Sequence, residues 1–153
     1  MAAQGYGLWG YCNQYLYTAR EPLPVKFPEI RRLESEDAPY VLDHYVDQPE
    51  DCIRERIRDG MMYGAFAEGR QIGFIGIHKE GSMGMLFVEE AFRRQGVGEA
   101  LEAYCVNRHL ERGWIPYGHT MEGNLASERL QEKLGFYKAS QKICWMAGRR
   151  GAE

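Results

Sequence analysis

Apolar residues follow two patterns along the chain, helical spacing and short continuous runs, and the order of these patterns predicts the order of the elements. Spacings of three and four residues predict helices, which lie at 35–45, 49–59, 97–112 and 124–134. Short apolar runs between glycines and charged residues predict strands, which lie at 30–33, 61–67, 71–78, 83–88, 114–121 and, as a final strand or hairpin, 136–147. The predicted order is therefore β-α-α-β-β-β-α-β-α-β.

The connections between the strands determine the predicted sheet. The turns EGRQ and KEGS are short, so the strands at 61–67, 71–78 and 83–88 should pair antiparallel. A helix separates the strand at 83–88 from the strand at 114–121, which predicts a parallel pair with a right-handed crossover. The predicted fold class is α/β (α+β), with a mixed, mostly antiparallel sheet and helices on both faces.

Residues 1–29 show neither of these two patterns. They are rich in tyrosine and tryptophan and are interrupted by Pro22, Pro24 and Pro28. The segment YCNQYLYTA favours an edge strand, and PLPVKFP favours an extended connector because proline disfavours helix in the residue before it. We predict an aromatic, proline-rich extension over 1–29 and one domain over 30–147. The extension could cover the sheet, shape a pocket or pair two chains as a homodimer.

Composition narrows the classes of function. The chain has 153 residues, of which 44% are hydrophobic and 27% charged, as expected for one folded domain. A net charge of −3 gives no general argument for nucleic acid or membrane as partner, and no apolar run approaches the ~20 residues of a membrane span. The beginning of the chain lacks the pattern of a secretory signal, and the four cysteines are scattered. We expect a reduced, cytoplasmic protein without a metal site.

The stretch FRRQGVGEAL joins the predicted strand at 83–88 to the next helix. A helix N-terminus has backbone N–H groups without partners and carries partial positive charge. Gly96 and Gly98 lack the Cβ atoms that would hold a ligand away, and Arg93 and Arg94 add donors, so the stretch suits a pyrophosphate. For a motif this short, the alternative is a glycine turn with two solvated arginines.

Two other phosphate-binding loops do not fit this stretch. The dinucleotide fingerprint GxGxxG has Leu101 in place of its third glycine, and the Walker loop GxxxxGK[ST] is absent. The stretch VEEAFRRQGVGEAL, followed by N-x-x-S at 124–127 and by KLGF at 133–136, resembles the GCN5-related N-acetyltransferase (GNAT) family. The segment PYGHTMEGNLASERLQEKLGF is most similar to the glycine N-acyltransferase-like branch of that family.

The resemblance spans residues 30–147 and implies the GNAT fold and an acetyl-CoA-dependent enzyme without a metal. In that family two neighbouring strands splay apart and the acyl group lies between them. A primary amine, on a small molecule or a peptide, attacks the thioester directly, and a backbone N–H near Val88 polarises the carbonyl. The implied contacts of coenzyme A are the backbone of Phe87 and Val88, the turn of Arg93, Arg94, Gln95, Gly96, Val97 and Gly98, and the residues Asn124 and Ser127.

The resemblance is incomplete at the residue that protonates the leaving thiolate. Many family members carry a tyrosine four residues before the Gly-Phe pair, and the corresponding residue here is Gln131. Tyr137 and Tyr117 are the nearest replacements in sequence. A thiolate can also leave without an acid, because a free thiol has a pKa of about 8.5. A catalytically silent acyl-CoA-binding module is therefore the alternative function.

A base must accept a proton from an ammonium substrate, directly or through water. Glu80, in the turn before the strand at 83–88, is the first candidate, and a solvated turn carboxylate is its structural alternative. His78 is the second, because its ordinary pKa of ~6.5 suits the task, although an apolar strand also accommodates a structural histidine. Glu122, after the strand at 114–121, is the third.

Overall fold

The structure is a computed structural model that describes residues 6–148, with side chains described over 10–144. The strands are β1 (Tyr6–Leu16), β2 (Ile30–Arg32), β3 (Met62–Ala67), β4 (Arg70–Ile77), β5 (Met83–Val88), β6 (Tyr117–Met121), β7 (Tyr137–Lys138) and β8 (Ile143–Gly148). The helices are α1 (Ala38–His44), α2 (Glu50–Arg58), α3 (Val97–Glu111) and α4 (Leu125–Lys133). Short 3-10 turns, Ser35–Asp37 and Glu90–Phe92, precede α1 and α3.

The strands form a single sheet in the order β2-β3-β4-β5-β6-β1-β7, with β8 also paired to β1. Among the described residues, every paired strand is antiparallel to its neighbour except β5 and β6, which run parallel. Helix α3 makes the crossover between those two strands, as its position between them in the chain requires. The predicted fold class, a mixed and mostly antiparallel sheet with one parallel crossover, is confirmed.

Helices cover both faces of this sheet. On one face, Ile72 and Ile75 of β4 belong to a core cluster with Leu101 of α3. On the other, Phe74 of β4 belongs to a cluster with Val41 of α1 and the isoleucines of α2. Strand β4 is a nearly continuous apolar run because both of its faces are buried.

The prediction of an edge strand near the N-terminus was wrong. Strand β1 pairs with β6 from Cys12, opposite Met121, to Leu16, opposite Tyr117, and it pairs with β7 and β8 along its other edge. Tyr15 is fully buried. The partners of β1 follow it by more than a hundred residues along the chain, so no local pattern could reveal that both of its edges are covered.

One helix start also differs from the prediction. Ser35 does not cap a helix; the chain first makes a 3-10 turn and α1 begins at Ala38. Glu34 caps this turn, and its backbone N–H donates to the carboxylate of Asp37 at 2.8 Å. The salt bridge from Arg31 to Asp37, at 2.9 Å, holds the pKa of that carboxyl below its ordinary value, although partial burial opposes the shift.

Candidate active site

Strands β5 and β6 are paired only at their start. Met83 lies opposite Gly118, and no further pair follows, although β5 continues to Val88 and β6 to Met121. A Cβ on Gly118 would lie 3.2 Å from the carbonyl oxygen of Met83, so the glycine permits this single close approach. Beyond it, a gap separates the two strands in the middle of the sheet.

Two cavities meet at this gap. The first, of about 440 Å³, we call the turn-side cavity, because it is lined by His78, Glu80 and Ser82 of the β4–β5 turn together with Cys12, Tyr45, Asp47, Gln48, Met83, Gly84, Met85, His119 and Met121. The second, of about 220 Å³, we call the helix-side cavity, and it is lined by Glu102, Thr120, Ser127, Leu130 and Gln131 together with Tyr45, Ile75, Met83, Gly84, Met85, Leu86 and His119. Because five residues line both cavities, the gap connects the two faces of the sheet.

Strand β5 carries a bulge beside the gap. Gly76 of β4 is opposite Gly84, but Phe74 is opposite Phe87, so β5 contains one extra residue there. Met85, within the bulge, adopts a φ of +53°, a conformation that costs energy for any residue except glycine. A bulge leaves backbone groups outside the ladder and is common next to active sites. The bulge thus lies in the part of β5 that does not pair with β6, on the strand that borders the gap.

The turn between β5 and α3 leaves the helix N-terminus open. Gly96 is the N-cap of α3, with a φ of +82°, and Arg94 is also left-handed, with a φ of +62°. A Cβ on Gly98 would touch nothing closer than Val88 Cγ2, at 3.7 Å, and Leu86 Cδ2, at 3.9 Å. The residues over 93–96 are exposed. The first N–H groups of α3 therefore belong to an exposed turn in which both glycines lack a Cβ, a geometry that suits an anion.

Two side chains of this turn fold back onto the chain that precedes it, Arg93 onto β5 and Gln95 onto the 3-10 turn Glu90–Phe92. Nε of Arg93 donates to the carbonyl oxygen of Val88 at 2.9 Å, and the side-chain amide of Gln95 donates to the carbonyl oxygen of Ala91 at 3.0 Å. Phe87 is half-buried, and its ring lies 4.7 Å from that of His44. Arg93 thus donates to a backbone oxygen of the residue that the family resemblance implies as a contact of coenzyme A.

Asn124 and Ser127 lie at the start of α4. Asn124 is the N-cap, and its side-chain oxygen accepts a hydrogen bond from the backbone N–H of Ser127 at 3.3 Å. Ser127 lines the helix-side cavity, whereas Asn124 is exposed. The capping role of Asn124 is observed, and its contact with coenzyme A stays a prediction.

The structure brings His78 and Glu80 together in the turn-side cavity. The Ser82 hydroxyl donates to the carboxylate of Glu80, and the Tyr117 hydroxyl donates to the backbone oxygen of Glu80 at 2.6 Å. Burial lowers the pKa of His78, and the nearby Glu80 carboxylate partly opposes this shift. His78 is therefore neutral at pH 7 and can accept a proton.

His119 is a further histidine of the site that the sequence did not reveal. It lies on β6, lines both cavities, and has a pKa lowered by burial, with Glu80 opposing the shift. Its ring is 5.8 Å from that of Tyr117. In the sequence His119 is one residue of the predicted strand at 114–121, and the gap beside it forms only because β5 and β6 diverge.

Tyr137 and Glu122 lie outside both cavities. Tyr137 is 61% exposed and is on β7, opposite Leu16 of β1. Glu122 is exposed and accepts a hydrogen bond from Lys142 Nζ at 2.6 Å. Of the acids and bases named from the sequence, only His78 and Glu80 line the site.

A buried carboxyl group is the second feature that sequence reasoning missed. Glu102 of α3 is 4% exposed and Gln131 of α4 is 7% exposed; the side-chain amide of Gln131 donates to Oε1 of Glu102. Burial raises the pKa of Glu102 to about 7, and the hydrogen bond from Gln131 opposes part of the shift. A carboxylate in the apolar stretch ALEAYCV was the available signal.

Two further kinds of feature, a metal-binding group and a membrane-spanning helix, are absent from the described residues. Over 6–148, no group of three or more His, Cys, Asp or Glu side chains is placed to hold a metal ion. Within the same range, no helix combines the length and apolar character that a membrane crossing needs.

Comparison with known proteins identifies the fold. The model of the acetyltransferase (GNAT) family matches residues 27–136. A Drosophila protein superposes with a TM-score of 0.78 at 24% identity, over 95% of this chain and 53% of its own. A GNAT-family protein from Novosphingobium aromaticivorans superposes with a TM-score of 0.76 at 22% identity, and the match covers 95% of this chain and 68% of that protein. The structure of AAC(6')-Iy, in complex with the bisubstrate analogue CoA-S-monomethyl-acetylneamine, superposes with a TM-score of 0.62 at 20% identity. This match covers 76% of this chain and 95% of AAC(6')-Iy.

These similarities are distant. Comparison with curated proteins gives no match. The chain spans little more than half of the Drosophila protein. At these identities the solved structures establish the fold alone.

Proposed function

The chain belongs to the GNAT family of acetyltransferases, and from this premise we propose that it transfers the acetyl group of acetyl-CoA to a primary amine. The observation that carries the proposal is the gap between β5 and β6, where the turn-side and helix-side cavities meet. Leu86, which lines the helix-side cavity, is 3.9 Å from the place of a Cβ on Gly98, so the open N-terminus of α3 adjoins the gap. A phosphate site beside a gap that connects the two faces of the sheet fits acetyl-CoA, which is long and anionic.

The proposed path of the coenzyme begins at the N-terminus of α3. Backbone N–H groups of Gly96, Val97 and Gly98 would bind the pyrophosphate, with Arg93 and Arg94 as the neighbouring cations, because a helix N-terminus favours an anion. The pantetheine arm would follow the free edge of β5 past Val88 and Phe87. Asn124 and Ser127, across the gap on α4, complete the proposed contacts.

The thioester would lie in the gap, where its carbonyl meets the bulged backbone of β5. N–H groups fixed by a strand stabilise the oxyanion of the tetrahedral intermediate without reorganisation. The amine would approach from the turn-side cavity, where His78 and Glu80 can take its proton directly or through water. The cavity on each face of the sheet thus receives one substrate.

The charges of the turn-side cavity favour a cationic acceptor. Asp47 and Glu80 line it, and among the described lining residues there is no lysine or arginine. The resemblance to the glycine N-acyltransferase-like branch instead suggests an amino acid, whose carboxylate would need a positive partner. A panel that contains glycine, a simple alkylamine and a diamine distinguishes these acceptors; we expect the diamine to react fastest.

The test measures binding and turnover separately. Calorimetry with acetyl-CoA is expected to show saturable binding, and release of free thiol is expected with an amine from the panel. Glu80→Gln and His78→Asn should lower kcat while the affinity for coenzyme A is retained, because both side chains lie on the acceptor side. A wild-type protein that binds no coenzyme A would refute the proposal.

A catalytically silent acyl-CoA-binding module is the second candidate function. The observation that favours it is Gln131 at the position of the family's usual tyrosine, since an amide does not donate a proton to a thiolate. Coenzyme binding without turnover on any member of the panel would support this function. Turnover that falls in Glu80→Gln would exclude it.

A further inference from the structure

A carboxyl group without a cationic partner lies in the wall of the helix-side cavity. Glu102 accepts one hydrogen bond, from Gln131, at Oε1, and Oε2 has no hydrogen-bond partner among the described residues. Oε1 of Gln131 likewise has none within that part of the chain. A buried polar atom without a partner costs about 1–3 kcal/mol, so the two oxygens are candidates for contact with a bound molecule.

Burial disfavours the charged form of this group, so a large share of Glu102 is protonated near neutral pH. Gln131 donates to Oε1, which leaves Oε2 as the oxygen that carries the proton. The resulting O–H has no acceptor among the described residues, because Oε2 is unpartnered. Glu102 also lines the helix-side cavity, which opens on the gap.

We propose that Glu102 is the proton donor to the sulfur of coenzyme A and that Gln131 is the residue that positions it. This inference rests on the acetyl transfer proposed above. Gln131 occupies the position of the tyrosine that serves many family members as acid, and Glu102 is bonded to it from the adjacent helix. A carboxylic acid thus takes the place of the phenol.

Proton transfer from Glu102 completes the exchange of bonds at the thioester. The amine nitrogen bonds to the thioester carbon and loses a proton to the base in the turn-side cavity. The C–S bond then breaks, its electron pair goes to sulfur, and the proton on Oε2 of Glu102 transfers to that sulfur to give free thiol. Glu102 regains a proton from solvent through the helix-side cavity, which Leu130 and Ser127 also line.

Few other groups can disturb this titration. His119 on β6 and Tyr45 after α1 line the helix-side cavity together with Glu102, and on α3 itself Cys105 interacts with Glu102 and Glu99 lies one helical turn before it. Burial raises the pKa of the Cys105 thiol, and His119 has a lowered pKa, so both are neutral near pH 7. A loss of activity as the pH rises through neutrality is therefore assigned to Glu102, because deprotonation of the base in the turn-side cavity would have the opposite effect.

The test compares wild type with Glu102→Gln, which keeps the shape of the side chain and removes the transferable proton. We expect kcat to fall by about a hundredfold, in the range of general acid catalysis, with unchanged affinity for coenzyme A by calorimetry. The wild-type kcat should decline as the pH rises through about 7, and this limb should be absent in the variant. A variant with the wild-type kcat and pH profile would overturn the proposal.

Two further measurements test the proposal without the Glu102→Gln variant, in case that variant does not fold. Gln131→Leu removes the hydrogen bond that stabilises the carboxylate, so the declining limb should move to higher pH; a limb that does not move refutes the role of the pair. Infrared spectra of the wild type should show a protonated carboxyl whose band shifts when coenzyme A is added, and a band that coenzyme A leaves unchanged would contradict the proposal. Failure of the acetyl transfer itself would appear differently, as a wild type without coenzyme binding.

Discussion

The imidazole of His78 lies directly against the backbone of Gly84, so closely that a Cβ on that glycine would overlap Nε2 of the ring. Gly84 is on β5, opposite Gly76 of β4, one position before the bulge. The absence of a side chain at Gly84 leaves the space that the His78 ring occupies, and His78 lines the turn-side cavity. A small residue on one strand thus sets the direction of a candidate base at the end of the other.

Gly84→Ala is expected to lower turnover and to raise KM for the amine, because the added methyl group displaces the His78 ring. Overpacking of this kind typically costs about 1–3 kcal/mol of stability. Kinetics at saturating acetyl-CoA and thermal unfolding measure the two effects. In the double variant with His78→Ala the clash is removed, so the melting temperature should recover; two losses that simply add would contradict the contact.

Gly98→Ala should weaken the binding of coenzyme A by about tenfold or more without lowering thermal stability. The added methyl group has room within the protein, at 3.7 Å from Val88, but it lies where the pyrophosphate would approach. Alanine is also favoured over glycine in a helix by about 1 kcal/mol. Calorimetry and thermal unfolding are the paired measurements. Wild-type affinity in this variant would place the pyrophosphate elsewhere.

Gly96→Ala is the matched control for that experiment. The φ of +82° at Gly96 costs roughly 1–2 kcal/mol for any residue with a Cβ, although no atom lies within 4 Å of the added group. We therefore expect a lower melting temperature in this variant even without ligand. From the sequence, both glycines are equivalent parts of one motif; the backbone angles show that the turn itself requires glycine at Gly96, which has a φ of +82°, but not at Gly98.

The free energy of unfolding should depend on pH because of Glu102. Its pKa is raised in the folded state to about 7 from 4.5, so the folded state binds the proton more tightly. The contribution is fully present below about pH 4.5 and is lost as the pH rises through about 7, with a magnitude on the order of 3 kcal/mol. Urea unfolding of wild type and Glu102→Gln should therefore show a difference that changes between acidic and alkaline pH. A difference independent of pH would contradict the raised pKa.

Strand β1 should be essential to the stability of the sheet. Tyr15→Ala is expected to cost about 3–5 kcal/mol, because the ring is fully buried between the strand's partners and the core. Tyr15→Phe, which keeps the ring, is the control and should change stability little. Urea unfolding measures both variants. An alanine variant as stable as wild type would show that β1 is peripheral.

Local pattern predicted most of the elements and the sheet's central crossover, because helical and strand periodicity are properties of neighbouring residues. The turn Arg93 to Gly98 was likewise predictable from its glycines and its position. By contrast, the pairing of β1 and the contact of Glu102 with Gln131 join residues far apart in the chain. Both depend on tertiary packing, and no spacing in the sequence encodes them.

The measurement that tests the central claim most directly is a crystal structure with bound coenzyme A. We predict the pyrophosphate at the backbone N–H groups of Gly96 to Gly98. We predict the sulfur in the gap between β5 and β6, within hydrogen-bonding distance of Glu102. A coenzyme bound away from this gap, or one whose sulfur is separated from Glu102 by the wall of the cavity, would contradict the claim.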